Sequence, residues 1–278
     1  MKILFVGVFT EGSTNISQRD SLLRLGHTVD EFSYRSFKNP NLELLKIFDT
    51  KYDMLLIAKG NSIEPDVINL FKYKNKCSFV YWFMDPLMTF SEEMLHKTII
   101  ADAAYFDKKN VLEVAKKYHD KCYYLCEGYD ETIDVVQDVN KKYDISFIGN
   151  VYNNRGDVLD NIENIKIISN AYGKQHSIEV GKSKINLNIC TDNGASDRVY
   201  KILAAGGFLL TDDWEGRELT GLEDDKHLVI YKNIDDLKNK IKFYLKYNNE
   251  RERIAKGGLK AVKNLTRDAW ARGIVDEK

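Results

Sequence analysis

Short uninterrupted apolar runs recur along this chain, each followed by a polar turn and a segment of helical apolar spacing, and this alternation constrains the fold more than any other feature. Residues 3–8, 54–58 and 79–83 are continuous apolar runs of strand length, the pattern expected of strands covered on both faces. Between them, residues 16–25, 42–48 and 65–73 carry helical spacing, and residues 28–34 form a further extended run. A helix over 91–99, a strand over 103–106, a helix over 110–118 and a strand over 123–125 complete the first half. Strands alternating with helices predict a parallel sheet flanked by helices, with ligands at the carboxyl ends of the strands.

Residues 130–142 are polar, and Lys141-Lys142 stand directly before a fresh strand over 143–148. The alternation then resumes with a loop over 150–154, a helix over 155–163, and strands over 165–168 and 185–189. A helix opening near Arg198, a strand over 208–210, a strand over 228–230 and helices over 234–247 and 250–265 follow. The 278 residues suit two domains. The expected division is 1–141, 142–265 and a tail, 266–278, packing back on the first domain. The fold class expected is α/β, two Rossmann-like domains whose parallel sheets face a central cleft.

Arg198 and Lys201 lie three residues apart and project together from the start of their helix, where the peptide dipole is already positive. An anion is expected there, although Arg198 can equally pair with Asp197 or Asp157, and Lys201 can simply lie exposed. Gly206-Gly207 form a turn into a buried strand that ends at Thr211-Asp212. Arg155 opens a helix after Gly149-Asn150, either as a second anion contact or as a solvated helix-start arginine. The loop after the first strand, with Gly7, Glu11, Gly12 and Ser13, is small and polar enough to approach a phosphate or an acceptor, and it also reads as an ordinary strand-to-helix turn. Asp85 ends an aromatic strand and precedes Pro86, so it is either a general base at a strand end or a turn cap.

Lys and Arg number 41 against 42 Asp and Glu, so no global basic field draws the chain to nucleic acid. The four cysteines lie mostly in apolar runs without zinc spacing, and none of the five histidines suggests a metal site; His96 is the one alternative base. No Asp-x-Asp stands where a metal-bound diphosphate needs it, so no obligatory metal is expected. No apolar run approaches the roughly 20 residues of a spanning helix, and the first apolar run is a strand and not a signal peptide. A cytoplasmic location is expected.

The stretches Phe147-Ile148-Gly149, Arg155, Arg198-Val199-Tyr200-Lys201-Ile202-Leu203-Ala204-Ala205-Gly206-Gly207 and Thr211-Asp212 resemble those of the CgeB-like glycosyltransferases, members of the GT-B class. The order Val229-Ile230-Tyr231, Asp236-Leu237, Tyr244-Leu245, Glu250-Arg251, Ile254-Ala255 and Gly257 is similar too, and Trp82-Phe83-Met84-Asp85-Pro86 looks like the aromatic strand ending in a base of the bacteriophage DNA β-glucosyltransferases. The resemblance implies a metal-independent glycosyltransferase with no cofactor beyond its nucleotide-sugar donor, expected to be UDP-linked. The donor would meet Gly149, Asn150, Arg155, Arg198, Lys201, Gly206 and Gly207, and Asp85 would activate the acceptor hydroxyl. The acceptor class stays open among glycan, protein, small molecule and modified DNA. One position departs from the family: the Glu that accepts hydrogen bonds from the ribose is Lys201, which has donors only. Either another carboxylate such as Asp197 or Glu215 takes the ribose, or Lys201 binds phosphate, or the donor differs from the family's usual one; the rival from another class is a non-catalytic sugar-nucleotide or glycan-binding protein of the same fold.

Overall fold

The computed structural model describes residues 1–152 and 154–276 and divides into two compact units, each with its own sheet. The first takes Met1–Cys126 and the segment that begins at Arg267; the second takes Glu127–Thr266. Asn153, inside the loop expected over 150–154, and the last two residues of the expected tail lie outside the described residues.

The first unit runs β1 (Lys2–Gly7), α1 (Thr14–Arg24), β2 (Thr28–Ser33), α2 (Pro40–Lys46), β3 (Met54–Ala58), α3 (Pro65–Asn75), β4 (Ser78–Phe83), α4 (Glu92–Ile100), β5 (Ala103–Phe106), α5 (Lys109–Ala115) and β6 (Cys122–Tyr124). The sheet order is β2-β1-β3-β4-β5-β6, with every pairing parallel. Side-chain alternation sends Leu4, Val6, Leu55 and Ile57 into one core and Ile3, Phe5, Met54 and Leu56 into another on the opposite face. A strand buried on both faces has no polar side to show, which explains the unbroken apolar runs.

The second unit runs β7 (Tyr143–Ile148), α6 (Arg155–Leu159), β8 (Lys166–Ile168), α7 (Lys174–Lys182), β9 (Ser183–Asn188), α8 (Arg198–Ala204), β10 (Leu209–Thr211), β11 (Val229–Ile230), α9 (Ile234–Lys246) and α10 (Asn248–Ala261). Its sheet is also parallel, in the order β11-β10-β9-β7-β8. Phe147, Leu187, Leu210 and Val229 stack across neighbouring strands in a core that includes Leu237, Tyr244 and Ile254 from α9 and α10. The polar segment before β7 belongs to this unit: Tyr129 N–H donates to Leu265 O at 3.1 Å, and Ser177 Oγ donates to Ile133 O at 3.2 Å. The helix α7 has no counterpart in the sequence reading. Ile178 and Val180 are its sole large apolar residues, so no apolar stripe announces it.

The last helix, α11 (Arg267–Val275), returns to the first unit. Trp270, Ala271 and Ile274 are buried in the core that holds Ile3 and Phe5, and the Trp270 ring lies 5.8 Å from Trp82 and 6.4 Å from Phe5. Asp268 pairs with Arg24 of α1 at 2.6 Å. Truncating a buried tryptophan of this kind costs about 3–5 kcal/mol.

Candidate functional site

In the second unit, parallel register brings the carboxyl ends of β7, β9 and β10 to one edge of the sheet, where Gly149, Asn188 and Asp212 stand. Two arginines converge there on the ring of Phe147. Val199, Ile202 and Leu203 are fully buried and fix α8, so that its first residue, Arg198, holds its Cζ 4.8 Å from the Phe147 centroid and donates from Nη1 to Asn188 Oδ1 at 3.0 Å. Arg155, 2% exposed, lies 5.7 Å from the same ring and 4.2 Å from the half-exposed Tyr152 ring. It donates to Ile189 O at 3.3 Å and Asn150 O at 3.0 Å.

Among the described residues, no carboxylate pairs with either guanidinium. Burial first, and then the charge of Arg155, lower the Arg198 pKa to about 10. Ring faces and neutral oxygens solvate these cations without an ion pair, so the pair has capacity for an anion. Gly149 makes the arrangement possible. Its φ is +148°, and a Cβ there would lie 2.6 Å from Arg198 Nη2.

Arg198 and Lys201 have different partners. Asp197 pairs with Lys201, its neighbour one helical turn on, at 2.6 Å, and neither Asp197 nor Asp157 is the partner of Arg198. Beneath this helix His176 is 7% exposed with Nδ1 lacking a partner, and burial reinforced by the Lys201 charge lowers its pKa to about 3. Gly206, with φ +72°, and Gly207 close the helix: their N–H groups donate to Leu203 O and Ile202 O, and a Cβ on Gly207 would lie 2.6 Å from Val180 Cγ1. Asn150 contributes its carbonyl to Arg155, and Glu215 is exposed. Trp214 is buried. Asp212 accepts from Cys190 N–H at 2.8 Å, and burial raises both its pKa and that of the Cys190 thiol.

Asn188 and the Phe147 platform were not singled out as site residues by sequence. The available signal lay in Ile185-Asn186-Leu187-Asn188-Ile189, where amides alternate with apolar residues inside a central strand.

In the first unit, the loop after β1 is occupied with its own geometry. Ser13 caps α1 and donates to Val8 O at 2.5 Å, while Asn15 Oδ1 accepts from Val8 N–H at 2.8 Å. Gly7 leaves room for that amide, since a Cβ would meet Asn15 Oδ1 at 2.8 Å; Gly12 turns the chain at φ +81°, and Glu11 is exposed. Asp85, just beyond β4, pairs with Lys59 Nζ at 2.6 Å, Lys59 being the residue after β3. His96 is exposed, its Nε2 3.9 Å from Glu92. Among the described residues, no three His, Cys, Asp or Glu side chains gather in a way that could hold a metal ion. No helix of the described residues is long and apolar enough to cross a membrane.

Solved structures share this fold at low sequence identity. HepE from Anabaena, in complex with UDP-glucose, is 10% identical and superposes with a TM-score of 0.74 over 99% of this chain and 98% of its own. Sucrose-phosphate synthase from Thermosynechococcus elongatus is 11% identical, with a TM-score of 0.73 over 98% of this chain and 97% of its own. A glycosyltransferase from Rickettsia africae is 12% identical, with a TM-score of 0.70 over 98% and 96%. The two parallel-sheet α/β units are thus those of the GT-B glycosyltransferases. Curated protein sequences yield no match. The family profile described as glycosyl transferase-like matches residues 131–274, more than half of the chain and including both arginines, and the chain therefore belongs to that glycosyl transferase-like family.

Proposed function

We propose that this protein transfers a sugar from a nucleoside diphosphate sugar, UDP-linked, to an acceptor hydroxyl, binding the donor in the second unit and the acceptor in the first. The observation that carries this reading is the pair Arg155 and Arg198, two guanidiniums on one ring with no carboxylate partner among the described residues. The charge that develops on a departing diphosphate needs cations or donors placed in advance, and two such groups serve a diphosphate without a metal ion. The UDP-glucose held by the Anabaena protein of the same fold supports a UDP-linked donor. Asp85 would accept the proton of the acceptor hydroxyl as its oxygen attacks the anomeric carbon and the bond to diphosphate breaks, which gives inversion.

Arg198 is the principal diphosphate contact, Arg155 its support, and Gly149 the residue that lets the guanidinium approach the strand end. Lys201, tied to Asp197, is peripheral to this chemistry. The assignment extends to the CgeB-like branch of the family and to the cytoplasm. The ion pair between Asp85 and Lys59 favours a second reading, a sugar-nucleotide binder without turnover, because the carboxylate is already engaged.

Calorimetric titration with UDP, and turnover assays with UDP-, GDP- and dTDP-sugars, separate the two. Donor binding with product release supports the transferase, and binding without it supports the binder. Binding that survives Arg198→Ala unchanged removes the site itself.

A further inference from the structure

Lys59 has a backbone that lysine does not favour. Its φ is +62°, followed by Gly60 at +66°, so two successive left-handed residues turn the chain at the end of β3. A non-glycine residue there is strained, and strain of this kind persists where surrounding contacts over-determine it. Here they do. Tyr81 and Lys97 are both fully buried; the Tyr81 hydroxyl donates to Lys59 O at 3.1 Å, and Lys97 Nζ donates to Gly60 O at 2.7 Å. The ammonium of Lys97 is held in turn by Glu93. Lys59 N–H donates to Trp82 O at 3.0 Å, which ties the turn to β4, the strand that leads to Asp85. Burying a charged lysine and a tyrosine to hold two consecutive carbonyls is a costly way to build a turn that glycine forms without strain. What the lysine supplies is the contact at its tip, 2.6 Å from Asp85 Oδ1.

We infer that Lys59 is a positioning residue for Asp85, kept on a strained turn by Tyr81 and Lys97 so that its ammonium fixes the carboxylate that receives the acceptor proton. The inference rests on Asp85 being the base of the proposed transferase. Placement of that carboxylate governs the chemical step and leaves donor binding alone. Stability and turnover should therefore separate. The ion pair is partly exposed and worth little to stability, while glycine relieves the left-handed backbone, so Lys59→Gly is neutral or stabilising unless the lysine side chain supports the fold beyond that pair.

Thermal unfolding and hydrolysis of a panel of UDP-, GDP- and dTDP-sugars, with water as acceptor, are to be measured for wild type, Lys59→Gly, Lys59→Arg, Asp85→Asn and Arg198→Ala. Lys59→Gly is expected to melt at or above the wild-type Tm, with kcat lowered about tenfold or more and donor KM within about twofold. Lys59→Arg, which keeps a cation at the position, should recover most of kcat. A Tm several degrees lower in the glycine variant, or a kcat unchanged in it, overturns the inference. Loss of turnover in Asp85→Asn with none in Lys59→Gly sinks the positioning role alone. Indifference to both Asp85→Asn and Arg198→Ala, or a wild type that hydrolyses no member of the panel, sinks the transferase reading and this inference with it.

Discussion

The two strand-end clusters handle charge in opposite ways. In the second unit, Arg155 and Arg198 face a phenyl ring, two backbone carbonyls and an amide oxygen, and among the described residues no carboxylate forms an ion pair with either, the charge of Asp197 acting on Arg198 only from a distance. In the first unit, Asp85 and Lys59 answer each other at 2.6 Å. An unanswered pair of cations is a binding device whose energy is released when an anion arrives. A self-neutralised pair has little attraction left for a further ion, and its carboxylate is held in place, as a group aimed at one substrate atom needs to be. The difference teaches which unit is expected to grip the substrate and which to act on it.

The largest test of that contrast is Asp85→Asn. Turnover is expected to fall about 100- to 10,000-fold while UDP affinity stays within about twofold, measured by steady-state kinetics beside titration calorimetry. Equal losses in both quantities would erase the division of labour.

His176 offers the next test, since protonating it would bury a charge, and do so within reach of the positive charges of Lys201 and Arg198, which Asp197 only partly offsets. Its folded pKa of about 3 lies below the ordinary value of 6.5, so the unfolded chain binds the extra proton between those limits. Stability is therefore expected to be lost as pH falls from 6.5 towards 3, by up to roughly 5 kcal/mol at the acid end. His176→Gln should flatten that slope in chemical unfolding followed against pH.

Arg198→Ala should weaken UDP binding by about 10- to 100-fold, the worth of one or two charge-assisted hydrogen bonds. Arg198→Lys should recover only part of it, because an ammonium lacks the paired donors of guanidinium. The smallest effect belongs to Lys201→Ala. Removal of a partly exposed i,i+4 pair should cost less than about 1 kcal/mol and leave UDP affinity within about twofold. A loss matching that of Arg198→Ala would return Lys201 to the phosphate site.

Strand positions were legible because double-sided burial leaves an unmistakable apolar run, as in β3 and β4. Arg155 and Arg198 were legible as candidates because both open helices, where the peptide dipole is already positive, and both stand in the stretches that carry the family resemblance. Their solvation was not, since the amide of Asn188 and the ring of Phe147 reach them only through parallel register between β7 and β9. The parting of Lys201 from Arg198 depended on one helical turn: Asp197 stands four residues before the lysine and only one before the arginine. The Lys59 turn gave no signal at all, because lysine is not a residue from which a left-handed backbone is expected.

The placement of Trp270 in the core that contains Ile3 and Phe5 bears on how the protein comes into being. During synthesis, residues 1–126 emerge long before Trp270 does, so one face of the first sheet keeps only the cover of α1 and its neighbours, and Trp82 and Phe5 lack their ring partner from the last helix. The second unit, contiguous over Glu127–Thr266, has all its own core residues earlier. On the ribosome the order of completion therefore runs against the order of synthesis, and the amino-terminal unit, the first to be made, is the last to close.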